Sequence, residues 1–180
     1  MERWVLLRKG ADFEAIGKKY QISPRLACLI RNRDAIGEEA VDRYLNGTIS
    51  DLYDGMLMKD MDKAIDILKE KILEDKKIRV IGDYDIDGVC STCILYKGLN
   101  RVGAKVDYVI PERIKDGYGI NEHIIEKAVA DGIHMILTCD NGIAALEQVR
   151  LAKELGMTVI VTDHHEVVRA EDGSQILPEA

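Results

Sequence analysis

The chain has no apolar run approaching the ~20 residues that cross a bilayer as a helix, which excludes a helical membrane span. Its first residues, Met1-Glu2-Arg3-Trp4-Val5-Leu6-Leu7-Arg8-Lys9, return to charge too soon for a secretory signal, so a cytoplasmic protein is expected. Cysteine is scarce: Cys28, Cys90, Cys93 and Cys139. Cys90 and Cys93 form a C-x-x-C, but no second such pair exists to complete a zinc site. The pair also falls in the middle of an expected helix and not at a thioredoxin-like helix start, so buried, reduced thiols are expected. Excess positive charge is missing too. Residues 1–60 are charge-balanced, and the whole net charge of −7 lies in residues 61–180. An acidic half argues against broad, sequence-independent DNA binding by charge alone. It leaves a nucleic-acid substrate open, because bound Mg²⁺ or Mn²⁺ reverses the local field. There is no low-complexity segment and no fixed-period repeat.

What the sequence does contain is a globular composition, 47% apolar over 180 residues, enough for one domain or one domain with a small helical appendage. Residues 1–58 show only short helical patterns: Asp12 to Tyr20, a second beginning at the Ser23-Pro24 cap, and a third from Glu38 to Leu45 that stops at Asn46-Gly47. This region reads as a helical N-terminal subdomain. Residues 59–180 read as α/β. Met61, Ala64, Ile65, Leu68 and Ile72 trace one face of a helix. Strands are expected at 78–81, 106–110, 135–139 and 158–162. Helices are expected between them near 89–101, 122–130 (capped by Asn121) and 144–155. That rhythm predicts right-handed β-α-β crossovers and a doubly wound parallel sheet.

Four polar clusters follow the four expected strands, on the edge where open α/β sheets bind ligands. The first places Asp83, Asp85 and Asp87 two residues apart. In extended backbone they would point the same way, with Cα atoms roughly 6.5–7 Å apart, and could ligate one metal ion or bridge two. The plainer alternative is an acidic turn that caps the following helix. Gly88 would then let the chain turn into that helix. The second cluster, Pro111 to Gly119, offers Arg113 and Lys115 for phosphate, with Gly117-Tyr118-Gly119 permitting close backbone approach. A solvated loop is the alternative. Asp140-Asn141-Gly142 is either part of a metal site or a turn and helix cap. In Asp163-His164-His165, two adjacent histidines cannot both reach one metal from an extended strand. One is expected to ligate, and the other to reach substrate or support the site. Hard carboxylates with a single imidazole favour Mg²⁺ or Mn²⁺ over zinc. His123 and His134 are expected to be structural or exposed. Together the clusters suggest metal-assisted hydrolysis of a phosphate ester.

These motifs resemble the DHH phosphoesterase superfamily and, within it, the RecJ-type single-stranded-DNA exonucleases. The resemblance runs from about residue 45 to the C-terminus. It is carried by Val80 to Gly88, by Pro111, Arg113 and Gly117 to Asn121, by Asp140-Asn141-Gly142, and by Asp163-His164-His165. The small-nucleotide and pyrophosphatase branches usually carry His where this chain has Ile81. The resemblance implies Asp85, Asp87, Asp140 and His164 as metal ligands, with Asp83 and Asp163 in or beside that set. It implies that His165 polarises the scissile phosphate and that Arg113, Gly117 and Gly119 bind a substrate phosphate. It further implies two Mn²⁺ or Mg²⁺ ions, 5′→3′ degradation of single-stranded DNA in repair and recombination, and contact with repair proteins. Family members continue beyond the DHH motif to a further ligand Asp and a second domain. An N-terminal fragment, weakly active or inactive alone, is therefore expected. A phosphodiesterase acting on short oligonucleotides or small nucleotides, and a non-catalytic DHH scaffold, are the competing readings.

Overall fold

A computed structural model describes residues 4, 5, 9–114, 117 and 119–180. The chain divides into two compact units, Met1–Met58 and Lys59–Ala180. The first holds α1 (Phe13–Tyr20), α2 (Pro24–Asn32) and α3 (Gly37–Asn46), followed by two short 3₁₀ turns. Asp12 and Ser23 cap α1 and α2 by accepting from Ala15 and Leu26 backbone N–H groups, and Pro24 occupies the first turn of α2. Ile30, Ala35 and Val41 are buried at its centre, against Ile16, Tyr20, Ile22 and Leu45.

In the second unit the order is α4 (Met61–Leu73), β1 (Lys77–Ile81), α5 (Ile86–Arg101), β2 (Lys105–Val109), α6 (Glu122–Ala130), β3 (Met135–Cys139), α7 (Leu146–Glu154) and β4 (Thr158–Thr162). A two-stranded antiparallel hairpin, β5 (Val168–Arg169) with β6 (Gln175–Ile176), follows. The four long strands form a parallel sheet in the order β2-β1-β3-β4. Alternation of side chains along the strands produces two cores. Ile81, Ile136 and Val159 face one way and pack with Ile124, Ile125 and Ala128 of α6 and Val149 and Ala152 of α7. Ile78, Val80, Met135, Leu137 and Ile160 face the other way, against Ala64 and Leu68 of α4 and Leu95 and Leu99 of α5. Every residue of β3 is buried, as a central parallel strand covered on both faces requires. The doubly wound parallel sheet expected from the strand rhythm is therefore the observed fold.

Three local expectations are corrected. Helix α5 starts at Ile86, three residues earlier than its apolar pattern suggested, because Asp85 caps it. The run from Asp83 to Asp87 is consequently a turn and a helix start, not an extended segment. Cys90 and Cys93 are exposed and unbridged, and only Cys139 is a buried thiol. The buried side of α5 is drawn through Gly88, Thr92 and Leu99, and the helical period carries positions 90 and 93 away from it.

A buried cation lies inside this unit. The Arg79 guanidinium, 6% exposed, donates to Asp107 on β2 at 2.6 and 2.8 Å and to Asp131 after α6 at 2.9 Å. Both acids keep nearly half their surface in water. Asp107→Ala combined with Asp131→Ala strands the buried cation and should cost roughly 3 kcal/mol of unfolding free energy in urea. Arg79→Met leaves only solvated acids and should cost less. The reverse ranking would mean that the guanidinium finds water in this place.

Candidate metal centre

The sheet order reverses between β1 and β3. β2 lies on one side of β1, and the chain then crosses back to place β3 on the other. Beyond the carboxyl ends of strands flanking such a reversal a crevice opens between diverging loops. The loop after β1 carries Asp83 and Asp85 into that crevice, and the loop after β3 carries Asp140.

Two glycines make the first loop possible. A Cβ at Gly82 would overlap the Thr92 hydroxyl, and a Cβ at Gly88 would overlap the Asp83 backbone. Gly88 is thus required by the close approach of α5 to the loop; it is not among the residues with positive φ. Asp85 caps α5, its Oδ1 accepting from the Asp87 and Gly88 amides at 3.0 Å each. Asp140 sits at φ +60°, a left-handed conformation that aspartate tolerates. Beyond β4, Asp163 organises the histidine loop. Its Oδ1 accepts from the backbone N–H groups of His164 (2.8 Å) and His165 (3.1 Å), and its Oδ2 accepts from Ile143 (2.9 Å).

Side chains from three strand ends meet. Asp83, Asp85 and Asp140 each bring an oxygen within 4.8 Å of the others, and Asp140, His164 and His165 form a second such group. His164 Nε2 lies 2.8 Å from Asp140 Oδ1, and His165 Nδ1 lies 2.7 Å from Asp163 Oδ1. Both imidazoles bring a nitrogen within reach of Asp140 because the backbone leaves the extended strand after Thr162. Asp87 is exposed in the first turn of α5 and belongs to neither group. The exposed Arg113 places its guanidinium 5.3 Å from the ring centroid of Tyr84, between the two site aspartates in sequence. Gly117 and Gly119 have φ of +75° and +71°, and Gly119 is buried. Lys115 and Tyr118 lie outside the described residues. His123 and His134 are exposed. A cavity of about 410 Å³ adjoins the histidines, lined by Gly119, Gly142, Ala145, Gln148, Asp163 and His165 among others.

The charges here are held under stress. Burial pushes the Asp140 carboxyl above the usual range, and the neighbouring Asp85 charge adds to this against the pull of His164. Asp85 moves the other way, chiefly because the Gly88 amide favours its ionised form. Burial alone would raise Asp163, but the Ile143 amide and His165 outweigh it and hold its carboxyl low. His165 is raised by its contact with Asp163. Buried Asp83, 2% exposed, keeps one carboxylate oxygen without a hydrogen-bond partner among the described residues. An uncompensated buried carboxylate beside two more fits a hard divalent cation, whose charge would offset both burial and repulsion.

A pH-dependent outcome follows from Asp140. Its folded-state pKa lies above the unfolded value, so ionising it costs stability as pH rises through that interval, and the cost vanishes below pH ~4. Asp140→Asn should therefore raise the melting temperature in EDTA at neutral pH, with the gain fading toward pH ~3.5. The same variant should lose Mn²⁺ binding in calorimetry. A destabilised variant at neutral pH would contradict this account of the carboxylate.

The sequence placed Asn141 and Tyr84 inside two of the polar clusters but gave neither a role. The only signal for Asn141 was its place between Asp140 and Gly142 at a strand end.

The chain is similar in sequence and in fold to known proteins. The chain is 39% identical over 165 residues to the single-stranded-DNA-specific exonuclease RecJ of Bacillus subtilis, covering 91% of this chain and 21% of that protein. It is 32% identical over 166 residues to the Escherichia coli RecJ, covering 92% of this chain and 28% of the relative. It thus spans about a quarter of the length of the curated relatives it matches. Among solved structures, exonuclease RecJ bound to manganese superposes with a TM-score of 0.59 at 36% identity, over 67% of this chain and 30% of that one. RecJ in complex with Mn²⁺ from Thermus thermophilus gives 0.56 at 25% identity, over 98% and 24%. The family model described as the DHH family, N-terminal domain, matches residues 77–178, from β1 past the histidine pair to the end of the β5-β6 hairpin. With more than half of its length inside that match, the chain belongs to the DHH family.

Proposed function

We propose that this protein hydrolyses phosphodiester bonds of single-stranded DNA from the 5′ end, with Mn²⁺ or Mg²⁺ held at the β1–β3 crevice. The observation that carries the reading is the meeting of Asp83, Asp85 and Asp140 with His164 and His165 from three separate strand ends. Helix capping accounts for Asp85 alone; it does not account for a buried Asp83 or for an imidazole on Asp140. Both groups contain Asp140. Asp83, Asp85, Asp140 and His164 would hold the ions, while the exposed Asp87 belongs to neither group. A divalent ion bound there supplies Lewis-acid polarisation of phosphoryl oxygens and acidifies water.

The chain's own residues do the rest. Asp163 orients His165 and favours its protonated form, so that the imidazolium would donate to the scissile phosphate. The exposed Arg113, over Tyr84, would take a neighbouring phosphate bidentately. Gly117 and Gly119 let backbone approach it. Single-stranded DNA is favoured as substrate by similarity to relatives named for that activity. No helix among the described residues is long and apolar enough to cross a membrane, which accords with the proposed cytoplasmic role in DNA repair.

In an assay on 5′-labelled single-stranded DNA with Mn²⁺, Asp85→Ala and His164→Ala should each lower turnover at least about a hundredfold. Circular dichroism should show the fold retained. Parallel digestion of a dinucleotide separates the proposed exonuclease from a small-nucleotide phosphodiesterase, which would prefer the short substrate. Activity surviving both substitutions would place the chemistry elsewhere.

A further inference from the structure

Asn141 is fully buried, and its side chain joins two of the strand ends that build the crevice. Its Nδ2 donates to the Ile81 carbonyl at 3.1 Å and to the Cys139 carbonyl at 3.0 Å, the last residues of β1 and β3. The first of these bonds ties β3 to β1 beyond the last pair of their ladder, Ile81 and Thr138. The Asp140 amide donates to the Thr162 carbonyl of β4 at 3.1 Å, so the Asn141 side chain reaches β1 while the main chain before it is bonded to β4. A third loop rests on the same residue. Gly119 lies in contact range: a Cβ there would stand 3.6 Å from Asn141 Cβ and 3.9 Å from its Oδ1, which has no hydrogen-bond partner among the described residues.

We propose that Asn141 is a positioning residue for the metal centre, a clamp that sets the spacing between the Asp83–Asp85 loop and Asp140. This rests on the reading of those carboxylates as metal ligands. Asn141 touches neither ion nor substrate and acts through the two carbonyls it holds. The side-chain type is prescribed by that role. Aspartate would set a carboxylate against two carbonyl oxygens. Leucine would fill the same volume but remove both side-chain bonds. Glutamine would carry its amide one methylene farther from the two carbonyls. Because ligand geometry must be held to a fraction of an ångström, small divergence of the two strand ends should reach the metal directly.

The test compares Asn141→Leu and the milder Asn141→Ser with Val149→Ala, a core truncation on α7 inside the same unit that removes no bond of the clamp. Two readouts are taken on the whole protein: Mn²⁺ affinity by calorimetry, and hydrogen exchange at the Gly82 and Asp140 amides in EDTA. The clamp predicts that Asn141→Leu weakens Mn²⁺ binding at least tenfold and speeds exchange at both amides. Asn141→Ser, whose hydroxyl can serve one carbonyl at most, should do so to a lesser degree. Val149→Ala should lower the melting temperature yet leave affinity and those two amides near wild type. If Asn141→Leu does not fold, Asn141→Ser decides alone. Asn141 variants that behave like Val149→Ala in both readouts overturn the proposal. A wild-type protein that takes up no Mn²⁺ overturns the metal reading instead, and the exchange rates then judge the clamp by themselves.

Discussion

The mutual repulsion of carboxylates is the constraint around which the α/β unit is organised. Asp83, Asp85 and Asp140 stand within 4.8 Å of one another, two of them buried. Left to itself, a chain would keep such groups apart and hydrated. They stay together because each is fixed by backbone. Asp83 is pressed beneath the glycine-lined approach of α5, Asp85 is tied to the first amides of that helix, and Asp140 is turned inward by a left-handed residue at the end of β3. The apolar cores on both faces of the sheet supply the rigidity, since β1 and β3 are its central strands. The price is stored as a displaced protonation equilibrium on Asp140, which a cation would relieve.

The histidine loop answers to the same logic from the opposite sign. Asp163 accepts three backbone amides and one imidazole contact, so a single side chain gives His164 and His165 their directions. One imidazole is turned onto Asp140 and the other onto Asp163, and the two rings lie 4.7 Å apart by their centroids. Identical neighbours in sequence therefore occupy different electrostatic settings. On the proposed reading, that difference suits one imidazole to ligation and the other to proton donation.

Much of this was legible in the chain. The four apolar strand segments, each followed by a polar cluster, dictate a parallel sheet with its chemistry on one edge, and periodicity placed the helices within a few residues. The contributions of Asp85, Asp140, His164 and Asp163 were visible as residue types at strand ends. What stayed hidden depends on contacts between segments distant in sequence. The exposure of Cys90 and Cys93 follows from which side of α5 meets the sheet, which a mid-helix position alone does not reveal. The turn at Asp83–Asp87 hides because a capping aspartate and an extended one look alike in sequence. Asn141 bonds to a carbonyl sixty residues earlier, a partner no local pattern announces.

The two margins of the sheet are unlike. β2, on one side, is Lys105-Val106-Asp107-Tyr108-Val109, with a cation and an anion that discourage another backbone from lying alongside. β4, on the other, is Thr158-Val159-Ile160-Val161-Thr162, uncharged and β-branched at every position, and among the described residues of its unit no strand pairs with its outer side. A row of amide and carbonyl groups on a strand of that composition is a template for strand addition. Self-association of this protein at high concentration, if it begins at the sheet, begins at β4. The histidine loop springs from the end of that strand, so a backbone docked there would lie directly beside the metal centre.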